Sequence, residues 1–320
     1  MRYISADELN AGLEFPPLVE ALRELFRRGV DEARAIHLNQ PLPDGRRNDW
    51  LLLPAWQYGR HMGIKLASVF PENDAKGLAS VQGLYVLFDG SNGLPLAAID
   101  GAVLTLWKTA ANSALAATYL ARTDARTLLV VGAGALAPYL SRAHCAVRPI
   151  ARVMIWNRTA ANAERTAGAL VRPGLAVEVV RELAPAVARA DIVTCATMAT
   201  APVIEGAWLS PGVHVDLVGG YRPDMREADD EAVRRARVFI DAWFTAGEHC
   251  GDICQPVARG LLRKEDVTDT FQLARGERPG RLSAEEITLF KSGRGGHEDL
   301  GTAQHILALP GAPSAPLSAQ

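Results

Sequence analysis

Residues 127–159 read TLLVVGAGALAPYLSRAHCAVRPIARVMIWNRT. An apolar run, a glycine turn, an amphipathic stretch and a second apolar run follow one another. This is the order strand, turn, helix, strand. Within it, Gly132, Gly134 and Ala137 form G-x-G-x-x-A. Gly132 allows a tight turn, Gly134 has no side chain to block a pyrophosphate, and Ala137 allows close helix–strand packing. The helix N-terminus, at Ala135 and Leu136, attracts the anion. The stretch therefore predicts a dinucleotide-binding βαβ unit.

The end of its second strand selects the nucleotide. An Asp or Glu there would accept hydrogen bonds from both ribose hydroxyls and repel a 2′-phosphate. This chain has Asn157, Arg158 and Thr159 instead. Arg158 can grip a phosphate with two prongs, and Asn157 and Thr159 can donate to it. The expected cofactor is NADP(H), with NAD(H) the alternative.

Outward from this unit the alternation continues. Strands are expected at 128–131, 152–156, 176–180, 191–195, 214–218 and 238–241, with helices at 136–147 and 160–170. Alternating strands and helices specify a doubly wound parallel sheet. The first third reads differently. After the helical PPLVEALRELFRRGV, ending at Gly29, come strands at 50–53, 62–69, 83–88 and 96–100 without helices between them. That pattern predicts an antiparallel or mixed sheet. A long alanine-rich helix at 104–122 then leads into the parallel part, and a last helix is expected at 297–309. The fold class is α/β. A Rossmann domain at 121–296 is inserted in a mixed α/β domain made of 1–120 and 297–320. The tail, LPGAPSAPLSAQ, is expected to be mobile.

The composition excludes several classes. The chain has 320 residues, is 48% hydrophobic, and has a formal net charge of −2. No basic surplus points to nucleic acid, and no 18-residue apolar run predicts a membrane span. No secretory leader is recognisable at the start, so the cytoplasm is the expected compartment. Cys145, Cys195, Cys250 and Cys254 form no C-x-x-C pair. GEHCGDICQP fits no common zinc spacing, so no metal is expected.

Three stretches outside the nucleotide turn carry chemistry: GIKLASVFPEN with Lys65, LTLWKTAANSALAATYL with Lys108, and VDLVGGYRPDMREAD. Together with GAGALA, WNRT and LFKSGRGGHEDL, they resemble the ornithine cyclodeaminase/mu-crystallin family. The resemblance runs from about residue 51 to 309. It implies a homodimer, with a substrate-binding and dimerising domain around an inserted Rossmann domain. Its members handle a small α-amino or α-imino carboxylate beside a nicotinamide.

By that resemblance Lys65 is the active-site lysine, which binds the substrate carboxylate or supplies a proton. Its strand is apolar on both sides, where a lysine needs a reason. Lys108 stands where the family has arginine. It keeps the charge without the planar grip and is expected to hold the substrate carboxylate. The family has a further arginine upstream of the strand at Trp50, where this chain offers Arg34 and His37; either could face the substrate, or neither. Thr197 and Met198, Val218 and Gly219, and Lys291 and Ser292 are implied to lie against the cofactor or near the cleft. Asp299 is expected to cap or pair near the last helix.

The departure at Tyr221 bears on the reaction. Cyclodeaminases of the family carry an aspartate directly after the GG turn, where this chain has Tyr221, and Asp224 is three residues further on. A cyclodeaminase needs a base for the substrate amine, whereas an imine reductase needs only hydride and a proton. The expectation is NADPH-dependent reduction of a cyclic ketimine, Δ1-pyrroline-2-carboxylate or Δ1-piperideine-2-carboxylate. The alternatives are an ornithine cyclodeaminase and a non-catalytic NADPH-binding protein like mu-crystallin.

Overall fold

The structure is a computed structural model and describes residues 1–309 except 33 and 80. Apart from Leu309, the expected mobile tail lies outside the described residues. The chain forms two compact units, one of residues 1–108 with 295 onward and the other of Thr109–Arg294. They part inside the long helix at Lys108, twelve residues before the expected boundary at 120.

The first unit opens with β1 (Arg2–Ile4), α1 (Ala6–Gly12) and α2 (Phe15–Arg28). Ser5 and Glu8 cap α1 reciprocally, each side chain satisfying the other's backbone N–H. In α2, Phe15, Leu18, Val19, Leu22, Leu25 and Phe26 recur at helical spacing and are all buried. Gly29 ends the helix at φ +88°, a conformation that favours glycine. Then come β2 (Asp31–Glu32), β3 (Ile36–Pro41), β4 (Arg47–Gln57), β5 (His61–Val69), β6 (Val81–Asp89) and β7 (Pro95–Asp100). The sheet order is β1-β7-β6-β5-β4-β2, with β3 also on β4; only β1 and β7 pair in parallel. The expected mixed sheet is present, with longer strands and with β1, β2 and β3 added.

Period-two alternation decides what this sheet buries. On β5, Gly63, Lys65 and Ala67 are buried while Met62 is exposed. The buried face of the sheet is covered by α10 (Gly296–Ala308), whose Leu300, Ala303 and Ile306 are buried, and α2 packs on α10. The long helix, α3 (Gly101–Leu120), starts three residues earlier than expected. A Cβ on Gly101 would stand 2.6 Å from the Gly83 carbonyl carbon, so only glycine lets the helix begin against β6.

The second unit holds β8 (Thr127–Val131), α4 (Ala137–Val147), β9 (Arg152–Trp156), α5 (Ala160–Gly168), β10 (Ala176–Val179), α6 (Leu183–Arg189), β11 (Ile192–Cys195) and β12 (His214–Leu217). It continues with α7 (Asp230–Arg235), β13 (Arg237–Ile240), α8 (Gly251–Ala258), β14 (Thr268–Asp269), α9 (Thr270–Arg275) and β15 (Thr288–Lys291). All eight strands pair in parallel in the order β10-β9-β8-β11-β12-β15-β13-β14. The order reverses between β8 and β11, the switch point of a doubly wound fold.

Alternation again assigns the two faces. Leu128 and Val130 pack with Ala117, Ala137 and Ala163 on one side, while Leu129 and Val131 pack with Val187, Ala232 and Ile253 on the other. Fully burying one such aliphatic side chain stabilises by about 1.5–3 kcal/mol. Helices thus cover both faces, which explains the continuous apolar runs of these strands.

Candidate functional site

The glycine turn lies at the C-terminal edge of β8. Gly132 adopts φ +102°, and a Cβ there would meet the Ala196 carbonyl oxygen at 2.5 Å. Its N–H donates to Trp156 O at 2.9 Å, which ties the turn to β9. Gly134 and Ala135 are exposed, Leu136 is half-buried, and a Cβ on Gly134 would meet nothing within 4 Å. Pro138 occupies the first turn of α4, where a missing N–H is harmless. Open space before the start of α4 fits a pyrophosphate.

The residues after β9 divide their tasks. Asn157 Oδ1 accepts from Ala133 N at 3.2 Å and its Nδ2 donates to Thr159 O at 3.0 Å. Its amide thus braces the glycine turn, although it was expected to donate to a 2′-phosphate. Arg158 and Thr159 are exposed, and Arg158 has no hydrogen bond or ion pair among the described residues.

A buried node organises the other half of the sheet edge. Glu227 accepts from Thr197 N at 2.7 Å, Thr197 Oγ1 at 2.8 Å, Gly219 N at 2.7 Å and Gly220 N at 3.4 Å. One carboxylate thereby ties the loop after β11 to the loop after β12. The approach is close: a Cβ on Gly219 would stand 2.0 Å from Thr197 O. Asp252, on the first turn of α8, accepts from the N–H groups of Glu227 and Ala228 at 2.8 and 3.2 Å. Lys291, at the end of β15, sits 3.4 Å from Asp252 and 3.8 Å from Glu227.

Burial opposes the Lys291 charge, but Asp252, Cys250 and Glu227 outweigh it and hold its pKa above the ordinary lysine value. Burial pushes the Glu227 carboxyl up, against the pull of Lys291. Lys291 has no exposed side-chain surface. It was expected near the cleft; as it stands it serves the two acids. Ser292 is buried too, its N–H on Leu217 O at 3.0 Å. Of the expected cofactor contacts here, Val218 and Gly219 are buried and Met198 is 66% exposed.

In the first unit, Lys65 points from β5 to α10. Its Nζ lies 2.7 Å from Asp299 Oδ2 and 3.5 Å from Thr105 Oγ1. Burial lowers its pKa below the ordinary lysine value, Asp299 and Glu298 work against that, and Lys108 adds to it. Lys108 donates to Glu298 Oε2 at 2.7 Å and to Gly295 O at 3.2 Å. Its side chain has no exposed surface. Successive acids on the first turn of α10 therefore each hold one lysine. Asp299 pairs near the last helix as expected, and neither of its oxygens accepts a well-angled hydrogen bond. Arg34 and His37 are both exposed.

Sequence reasoning missed Glu227, Asp252, Glu298 and Arg294. RPDMREAD and GGHEDL carry the first and third, but no local signal joins Glu298 to a lysine 190 residues away. No helix among the described residues is long and apolar enough to cross a membrane. The four cysteines are free thiols.

A parallel doubly wound sheet with this glycine turn at its switch point is a Rossmann-type unit, and the buried lysine pair marks the unit in which it is inserted. The chain belongs to the ornithine cyclodeaminase/mu-crystallin family, whose sequence profile matches residues 11–308. It is 40% identical over 307 residues to the Δ1-pyrroline-2-carboxylate reductase of Paracoccus denitrificans, covering 95% of this chain and 96% of that protein. It is 32% identical over 312 residues to the ketimine reductase mu-crystallin of Rattus norvegicus, covering 95% and 96%. Among solved structures it matches the Thermococcus litoralis Δ1-pyrroline-2-carboxylate reductase in complex with NADH and L-proline. That match has a TM-score of 0.88 and 29% identity, over 95% of this chain and 96% of that one.

Proposed function

We propose that this chain reduces a cyclic ketimine carboxylate, Δ1-pyrroline-2-carboxylate or its six-membered homologue, to the cyclic amino acid with NADPH. Relatives of that activity at up to 40% identity over nearly the whole chain support the reaction class. The observation that separates it from cyclodeamination is Tyr221. This residue, 39% exposed, stands where a cyclodeaminase has its aspartate. The next acid, Asp224, is engaged by Arg222 at 2.9 and 3.0 Å. The position directly after the Gly219-Gly220 turn thus offers no carboxylate, and a reductase needs none there.

Gly132, Gly134, Ala135 and Leu136 would hold the pyrophosphate, with Thr197, Met198, Val218 and Gly219 toward the nicotinamide half. Arg158, exposed and uncommitted beside Thr159, would take a 2′-phosphate. When bound, the cofactor supplies the hydride that enters the imine carbon. Lys65 holds at Nζ the proton that the imine nitrogen takes up, so C=N becomes CH–NH. Asp299 orients that ammonium. Lys108 fixes Glu298 and with it the start of α10. A homodimer is part of this reading, because the outer face of the first sheet is apolar at Ile36, Leu38, Trp50 and Met62.

The test is oxidation of NADPH at 340 nm by the pure protein with each imine, beside NADH and beside an ornithine-to-proline assay. Imine-dependent oxidation, faster with NADPH than with NADH, is expected. Proline and ammonia from ornithine would overturn the reductase reading, and faster NADH oxidation would overturn the Arg158 reading alone.

A further inference from the structure

Arg294 is the single non-glycine residue with positive φ among the described residues, at +61°. That conformation is uncommon for a residue with a Cβ and persists where surrounding groups impose it. Here they do. The N–H groups of Gly293 and Arg294 both donate to Asp241 Oδ2, at 2.6 and 3.1 Å. Asp241 is buried and is itself fixed by the Ala242 N–H at 2.6 Å and the Thr245 hydroxyl at 2.8 Å.

The strained backbone aims a guanidinium. Arg294 Nη2 donates to Gly219 O at 2.9 Å, and the guanidinium carbon lies 5.0 Å from the Tyr221 ring centroid. The group is half-buried and forms no ion pair among the described residues. The buried lysines differ in this respect: Lys65, Lys108 and Lys291 each face a buried carboxylate. Gly219 follows β12, on the side of the switch point opposite the strands that take the adenosine half. A cation without an acid, braced by a carbonyl and an aromatic plate, is thus placed beside the nicotinamide half.

We propose that Arg294 binds the carboxylate of the imino-acid substrate, with Tyr221 as the plate that fixes the guanidinium plane. The assignment rests on the imine-reductase reading above. It supplies what Lys108 cannot: a planar fork that matches a carboxylate with two parallel N–H donors. It also gives the tyrosine after the glycine pair a task suited to a reductase.

The test compares the wild type with Arg294→Gly, which suits a left-handed position, and with Arg294→Lys. For Arg294→Gly the KM for Δ1-pyrroline-2-carboxylate and the inhibition constant of L-proline are expected to rise by at least about tenfold, the worth of one charge-assisted hydrogen bond. The KM for the dinucleotide and the inhibition by pyrrolidine, which lacks the carboxylate, should stay within about threefold, a difference below roughly 0.7 kcal/mol. Arg294→Lys should fall between. A substrate KM and proline constant near wild type overturn the assignment, as does an equal loss toward proline and pyrrolidine. If Arg294→Gly does not fold, the same comparison on Arg294→Lys decides. A wild type that oxidises NADPH and NADH with neither imine overturns the proposed function, and this assignment with it.

Discussion

Lys65 is a charged side chain on the buried face of a strand, and its neighbours set when it loses its proton. Burial favours the neutral amine, while Asp299 at 2.7 Å favours the ammonium. The net direction is downward, so the proton leaves at lower pH than from an exposed lysine. If the ammonium is the working form, kcat/KM is full below the folded pKa of Lys65 and falls as pH rises through it. Asp299→Asn removes a group that holds the proton on. The alkaline limb of the profile should then move to lower pH by about one unit, equivalent to about 1.4 kcal/mol. A limb that stays in place would show that Lys65 is not the group titrating. The other charges facing Lys65, Lys108 and Glu298, remain paired with each other in this variant.

The elements show how much of this was readable. The strand–turn–helix–strand at 127–159 was legible because a glycine pattern and two apolar runs are local signals. β9 falls on its expected bounds, and β8, β11 and β12 within a residue of theirs. The strand β15 was not legible. It has four residues and enters the sheet between β12 and β13, a position that only the closed topology defines. The burial of Lys108 was equally invisible, since its partner Glu298 lies 190 residues away. The conformation of Arg294 could not be read either, because nothing in an arginine codes for positive φ.

The pairing of β12 with β15 carries a consequence for stability. His214 on β12 is buried against Thr288 on β15, with Nδ1 3.0 Å from its hydroxyl. Burial lowers the His214 pKa from 6.5 to about 3 even though Asp216 pulls it up. The folded chain therefore keeps the ring neutral, whereas the unfolded chain protonates it. Stability from this group is whole above pH 6.5 and is lost as pH falls toward 3, by about 1.4 kcal/mol per unit. Urea unfolding from pH 7 to pH 4.5 should show that slope, and His214→Gln should flatten it. An unchanged slope in the variant would place the acid sensitivity elsewhere.

At the scale of the molecule, the first sheet has two faces of opposite use. Its inner face carries Lys65, Ala55 and Tyr85 against the unit's own core. Its outer face would ordinarily be polar, as in an antiparallel sheet with one solvated side. Instead Leu38 and Trp50 stand directly opposite each other at 51% and 48% exposure, Ile36 lies on the same face, and Trp56 faces Met62 one strand over. Apolar side chains gathered this way mark an interface. A second copy of the chain is the occupant the proposed homodimer supplies, and a twofold axis would set the same patch against itself. Light scattering after gel filtration should give twice the 34.3 kDa chain mass. A Leu38→Asp/Trp50→Glu double variant should run as a monomer, because two desolvated carboxylates per subunit would oppose each other across the axis. The variant should keep its fold, since both side chains already face outward, and circular dichroism would confirm that. A variant that stays dimeric would move the interface off this face, and a monomeric wild type would remove it.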